Sequence, residues 1–334
     1  MADVMTPKQR VYARLAGEPV DVPPNVAILM SFAARYGGVT MDQFCQDYRA
    51  LTTANLKAAR DFGLDILSTM SDPYRETADL SGRISFPHDA MPVCPPCVET
   101  ADDLARLRPV PVAESTRMLD RIHAIEEYVR LVGDEFPILG WVEGSLAEAA
   151  DLMGLTALIY AVYDDPDLVR GVLDLCCENA LGFIRAQVAA GADIIGLGDA
   201  VASVMGPDLY REWGLPYEKT LFAEVHRLGA IARLHICGNI TPLLDDIREC
   251  GADIVDVDSM VDFAHAAAVL APTPVCGNIA PVDVIKDGTP DDVAAAVRQC
   301  VADGGPRCFI MGGCEIPVAT PHANLAAIHE ALVS

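Results

Sequence analysis

A parallel (β/α)₈ barrel, the TIM-barrel architecture of the α/β class, is the fold this sequence predicts, and three observations carry it. Short apolar runs alternate with helical stretches from about residue 25 to the C-terminus. Several of the helices open on Pro or Asp and close on Gly, as at Gly191, Gly229, Gly251 and Gly304. A Gly-Ala pair runs directly into an apolar segment at GADII, GAIAR and GADIV, the pattern of a helix end feeding a strand. Strands joined by helices must lie parallel, because only a crossover element returns the chain in the same direction. Eight such strands favour closure. An open doubly wound sheet usually carries a glycine-rich turn after its first strand, and none follows Met30.

In order, strands are predicted at Val26–Met30, Leu64–Thr69, Pro137–Val142, Asp193–Leu197, Ala232–Ile236, Asp253–Val257, Pro274–Gly277 and Arg307–Met311. Helices are predicted at Pro166–Ala190, Asp208–Leu228, Ile240–Cys250 and Pro290–Asp303. Residues 1–24 read as an N-terminal helical cap ending at Pro23-Pro24. Residues 71–115, rich in Pro and turn formers, read as a hairpin-bearing insertion after the second strand that covers the barrel mouth. No linker, repeat or low-complexity tract divides the chain, so residues 1–334 are expected to form one domain.

Composition narrows the function classes. Hydrophobic residues make up 51% of the chain, enough for one large core, and 24 Lys plus Arg face 48 Asp plus Glu, a formal charge of −24. Such a surface argues against a nucleic-acid partner, which needs a basic patch. No uncharged apolar run reaches the length of a membrane span. The opening MADVMTPKQRVYARLAG lacks the apolar core of a signal peptide. A cytoplasmic protein is expected. Its eleven irregularly spaced cysteines then read as free thiols, some of them open to metal binding.

Barrel active sites lie at the C-terminal ends of the strands. There the sequence places Ser71 and Asp72, Glu143, Asp199, His235 and Cys237, Asp256 and Asp258, Asn278, and the loop Gly312-Gly313-Cys314-Glu315. His235 and Cys237 are two apart, so on a strand they point to the same side. Cys314 follows the strand across the barrel from theirs. One imidazole and two thiolates suit Zn²⁺, which in catalytic sites keeps a fourth position open. Cysteines are also common as small buried hydrophobes, and the spacing alone leaves both readings open. Cys94-Pro-Pro-Cys97 has a redox-like spacing but lacks a second pair.

At HICGN (235–239) and GGCEIPVATPHAN (312–324) the chain resembles the uroporphyrinogen decarboxylase superfamily, and within it the cobalamin-dependent methyltransferase branch. SDPYRE (71–76), WVEGSLAEAADLMG (141–154), GADIIGLGDAVAS (191–203), LPYEK (215–219), ADIVDVD (252–258) and CGNIAP (276–281) extend the likeness along almost the whole chain. The resemblance implies a barrel whose His-x-Cys pair and distant Cys bind zinc, here His235, Cys237 and Cys314. It implies methyl transfer between a small methyl donor and the cobalt of a corrinoid. No cobalamin-binding signature occurs in this chain, so the cobalamin is expected on a partner corrinoid protein docked over the mouth. The segments above are most similar to demethylating members, which makes a methoxylated aromatic the expected donor. A thiol or folate methyltransferase is the alternative, and a porphyrinogen decarboxylase the third. Decarboxylases proper carry an arginine-rich N-terminal motif, of which SFAARYGG (31–38) keeps only Arg35. Within the resemblance, Glu143 is the candidate acid for a departing oxygen, or a fourth zinc ligand. Asp72, Tyr74, Asp199, Asp258 and Asn278 are candidate substrate contacts, and Asp256 a support for the ligands. Such barrels pair, so a homodimer is expected.

Overall fold

The computed structural model describes residues 4–334. Seven parallel strands form one sheet in the order β1 to β7: Leu67–Ser68, Ile138–Glu143, Ile194–Gly198, Ile231–His235, Ile254–Val257, Val275–Ile279 and Phe309–Gly312. These correspond to the second to eighth predicted strands. Every residue of β2 and β3 is buried, which is why these strands read as apolar runs rather than alternating ones. The core forms a contiguous hydrophobic cluster spanning the strands and the helices around them.

The first predicted strand is the main correction. Val26–Met30 is not a regular strand: a single parallel bridge joins Asn25 to Ile310, and a helix begins already at Met30. Pro23 and Pro24 have no N–H to offer a ladder, which leaves little chain for pairing. The segment nevertheless bonds on both sides. Val26 N–H donates to Ile310 O at 2.9 Å and Ile310 N–H to Pro24 O at 2.9 Å, while Asp65 N–H donates to Asn25 O at 2.7 Å. It thus links the last strand to the chain entering β1, and the sheet curls into a barrel-like form.

Helix Pro166–Ala190 has the predicted bounds, with Pro at its start, the Asp165 side chain capping Leu168 N–H at 3.2 Å, and Gly191 at φ 108 closing it. The predicted helix Asp208–Leu228 is broken by a π turn at Tyr210–Gly214 before Leu215–Arg227. Pro216 lacks the N–H that a continuous helix would aim four residues back. The span predicted as Ile240–Cys250 shrinks to two short turns, Thr241–Leu243 and Leu244–Ile247. In the insertion the hairpin reduces to one antiparallel bridge, Ser85 with Val93, because Pro87 and Pro92 interrupt both arms.

The helix Pro7–Ala16 starts at a Thr6–Gln9 capping box and ends at Gly17. Two of its cations reach residues just before strands, Lys8 Nζ lying 2.9 Å from Asp193 and Arg10 pairing with Asp65, while Arg10 also pairs with Asp21. It therefore packs at the end of the sheet opposite the candidate site. Among the described residues no single helix is long and apolar enough to cross a membrane, and helices Ser145–Met153 and Leu155–Asp164 meet at 102°.

Candidate metal centre

β4 ends at His235, and Cys237 follows two residues on, so both side chains turn toward the C-terminal mouth. Cys314 arrives from the loop after β7. His235 Nε2 lies 3.0 Å from Cys237 Sγ and 3.9 Å from Cys314 Sγ, and the two sulfurs are 3.1 Å apart. That sulfur separation is far longer than a disulfide bond of about 2.05 Å, and both thiols are free. Zinc–ligand bonds of about 2.0–2.3 Å put the corners of a tetrahedral site roughly 3.5–3.8 Å apart. The observed edges bracket that range, and among the described residues this is the one His/Cys/Asp/Glu group close enough to hold a metal ion. The donor set, one imidazole and two sulfurs in a partly closed pocket, fits zinc.

Two glycines make the convergence possible. Gly238 has φ 89, a left-handed conformation that turns the chain directly after Cys237. A Cβ on Gly313 would sit 2.5 Å from the backbone nitrogen of Ser259, so only glycine lets the Cys314 loop approach the turn after β5 so closely.

Asp256 on β5 supports the histidine. Its carboxylate lies 2.9 Å from His235 Nδ1 and also accepts from Arg233 Nε at 2.9 and 3.1 Å. This leaves Nε2 as the nitrogen facing the sulfurs. Burial lowers the His235 pKa, but Asp256 and Cys314 more than offset it and lift it to about 9. The Cys314 thiol is pulled down to about 4 by hydrogen bonds from Cys237 and His235 against its burial. Cys237 moves in the opposite direction, mainly because it donates to Cys314.

The cluster opens on a cavity of about 230 Å³ whose wall includes Met30, Met70, Asp72, Trp141, Glu143 and Glu315. Glu143, at the end of β2, is paired with Arg75, and its N–H donates to Glu76 Oε1 at 3.0 Å. Burial pushes its carboxyl up to about 8; Arg75 opposes the shift and Glu76 adds to it. Asp72 is held by Arg117, by Ser71 Oγ at 2.6 Å and by Tyr74 N–H at 3.0 Å. Although burial acts to raise it, Arg117 and Arg75 keep its carboxyl low, at about 2. Glu315 accepts from Ser31 N–H at 2.8 Å and Oγ at 2.5 Å.

Of the candidate substrate contacts, only Asp72 is part of the cavity wall. Tyr74 is half-buried beside it. Asp199 is turned away, accepting from Ala147 N–H at 2.9 Å at the start of helix Ser145–Met153. Asp258 accepts from Gly238 N–H at 2.7 Å and so braces the Cys237 turn. Asn278 donates to Val261 O at 2.8 Å and Asp258 O at 3.3 Å, tying the loop after β5. The last two hold the loops of the cluster rather than face the cavity.

Trp141, Met30 and Met70 were not singled out in the sequence. Trp141 was accessible there, since it lies two residues before Glu143 and so shares its face of β2. Its ring centroid is 6.0 Å from that of His235. The Arg117–Asp72 pair joins segments 45 residues apart and left no local signal.

The methylcobamide:CoM methyltransferase MtbA of Methanosarcina mazei is 28% identical over 333 residues, covering 97% of each chain. The uroporphyrinogen decarboxylase of Gloeobacter violaceus is 27% identical, covering 73% of this chain and 72% of its own. The structure of a methyltransferase from Methanosarcina mazei superposes with a TM-score of 0.88 over 98% of both chains at 23% identity, a likeness of fold. The family model described as uroporphyrinogen decarboxylase (URO-D) matches residues 6–333, and the chain belongs to that family.

Proposed function

We propose that this protein is a zinc-dependent methyltransferase that moves a methyl group from a corrinoid, carried by a partner protein, to a small thiol. The observation that carries the proposal is the convergence of His235, Cys237 and Cys314 on a small cavity. The full-length likeness to a methylcobamide:CoM methyltransferase supports this direction of transfer. A methoxylated aromatic as methyl donor, the expectation from the sequence segments, has no counterpart among these relatives. The thiol acceptor is the better supported of the two.

His235, Cys237 and Cys314 would hold the zinc ion, which when bound acts as a Lewis acid that favours the thiolate form of a thiol. Asp256 fixes the imidazole tautomer so that Nε2 faces the site. In the transfer a carbon–cobalt bond breaks with its electron pair left on the corrinoid, a carbon–sulfur bond forms, and the thiol proton must leave. Glu143 lies in the cavity wall with its carboxyl pushed up to about 8, and in its ionised form it can take that proton and pass it on. Trp141 and the methionines exclude water from the reacting sulfur.

A decarboxylase reading fits the wall poorly. A polycarboxylate substrate needs cations, and among the described residues no Lys or Arg lines the cavity. Arg35 faces neighbouring grooves instead. The test is spectroscopic: the zinc-loaded protein, methylcobalamin and a thiol should convert the methyl-Co(III) spectrum to that of reduced cobalamin. No conversion with any thiol, but methyl-Co(III) formation from Co(I) cobalamin and a methoxylated aromatic, would reverse the proposal.

A further inference from the structure

Helix Leu155–Asp164 departs from the pattern of a surface helix. Its inner stripe is apolar, with Leu158 and Val162 buried. Its outer stripe is apolar too: Tyr160 and Tyr163 are 67% and 72% exposed, Leu155 is exposed, and Ile159 between them is half-buried. Residues 155, 159 and 163 are four apart, and 160 and 163 three apart, so these side chains share one side of the helix. No charged residue occurs from Leu152 to Tyr163, in a chain whose formal charge is −24. A helix apolar all round belongs in an interior. Single exposed apolar residues need no explanation, but a contiguous stripe marks a contact surface.

The two ends of the stripe carry opposite charges. At its C-terminal end Asp164, Asp165 and Asp167 are exposed. Among the described residues they form no ion pair, and Arg170, the next cation along the chain, turns to Glu212 at 2.9 Å. At its N-terminal end Gly154 abuts Pro96, and Arg83 donates from its guanidinium to Pro96 O at 2.9 Å. Arg83 is exposed and has no carboxylate partner among the described residues. A two-fold axis perpendicular to the helix lays such a stripe against itself, antiparallel, so that each end meets the opposite end of the other copy. Arg83 of one copy then faces Asp164 of the other. Asp164 ends a helix, where the dipole disfavours a carboxylate, and it would gain the N-terminal end of the other helix, where a carboxylate is favoured.

We infer that helix Leu155–Asp164 is the surface on which two copies of this chain associate, antiparallel across a two-fold axis, with Tyr160 and Tyr163 at the centre and Arg83 of each copy against Asp164 of the other. Aromatic centre and charged rim are the usual division of an interface. Tyrosines cover about 150–250 Å² each when fully buried, and with Leu155 and Ile159 they form the centre of a face that in a stable dimer buries about 800 Å² a side. Elsewhere two such acidic surfaces repel, which leaves the uncharged stripe as the place where copies can meet. The association is separate from the metal chemistry, because no residue of this helix lines the cavity at the cysteines.

Sedimentation velocity of the full-length protein over a concentration series reads the dimer Kd. The parent is expected to sediment as a dimer at micromolar concentration. Tyr160→Ser with Tyr163→Ser should raise the Kd by at least about a hundredfold, with circular dichroism and zinc content unchanged. Arg83→Glu sets like charges together and should raise the Kd by about tenfold. Adding Asp164→Arg swaps the charges and should return it to within about threefold of the parent. That recovery would not occur if Arg83 only shaped its own loop, and it decides the matter should the tyrosine variant fail to fold. A monomeric parent overturns the inference and leaves the stripe to a partner of another kind, the corrinoid protein included. A dimer indifferent to the folded tyrosine variant, or a charge swap without recovery, overturns it equally.

Discussion

Asp256→Asn is the substitution that most directly tests how the metal centre is built. The carboxylate is 1% exposed and is shared between His235 Nδ1 at 2.9 Å and Arg233 Nε at 2.9 and 3.1 Å. The amide keeps the shape and removes the charge. Arg233, also 1% exposed, then keeps a buried charge without its partner, which costs about 3–5 kcal/mol. Against a total stability of roughly 5–15 kcal/mol the variant should still fold, though less stably. His235 loses its charged acceptor, and zinc affinity should fall by about 10–100-fold. Competition against a chromophoric chelator measures the affinity, and denaturant unfolding measures the stability. Adding Arg233→Met removes the stranded cation, so it should recover stability without recovering zinc affinity. A folded Asp256→Asn protein whose zinc affinity stays within about twofold of the parent would refute the orienting role.

Three further outcomes follow from the same geometry. The parent should bind about one zinc per chain; Cys314→Ser should lose it, and stoichiometric metal retained by a Cys237→Ser, Cys314→Ser double variant would sink the assignment. Gly313→Ala forces a Cβ to within 2.5 Å of the Ser259 nitrogen, so it should weaken zinc binding and lower the melting temperature; unchanged values would show that the loop has room to shift. Glu143 holds its proton to about 8 in the folded state, whereas an unfolded glutamate ionises near about 4.3. Between those values the folded protein binds more protons, so this residue makes stability fall as pH rises. Glu143→Gln should flatten that slope in denaturant titrations from pH 5 to 8, and an unaltered slope would contradict the raised pKa.

Local chemistry was readable wherever neighbours in sequence determine it. Helix Pro166–Ala190 carries its own start and stop signals, and its bounds were predictable to the residue. The shared direction of His235 and Cys237 follows from strand periodicity alone. The helix predicted as Asp208–Leu228 was misread because its apolar pattern outweighed the missing N–H of Pro216. The first strand was overread for a related reason: apolar residues at 26–30 look like a strand, but Pro23, Pro24 and the helix at Met30 leave one bridge.

Long-range electrostatics stayed hidden. Glu143 was visible as a strand-end carboxylate, but its pairing with Arg75 and Glu76 depends on the fold of the insertion. Asp199, Asp258 and Asn278 have the same strand-end position as Glu143, yet they face a helix start or neighbouring loops. Position along a strand says which end of the barrel a residue occupies; the loop that packs beside it decides where its polar atoms go.

Taken alone, the sequence determined an alternating parallel architecture, the candidate ligands His235, Cys237 and Cys314, and a likeness to one superfamily. Periodicity, caps and spacing are local and survive in the linear chain. The tertiary structure alone decided that the three ligand atoms meet within bonding range of one ion, that Asp256 aims the imidazole, and which residues wall the cavity beside them. The ligand atoms alone come from segments up to 79 residues apart, brought together by the curl of the sheet. Only packing sets such distances, and with them the local dielectric that shifts each pKa.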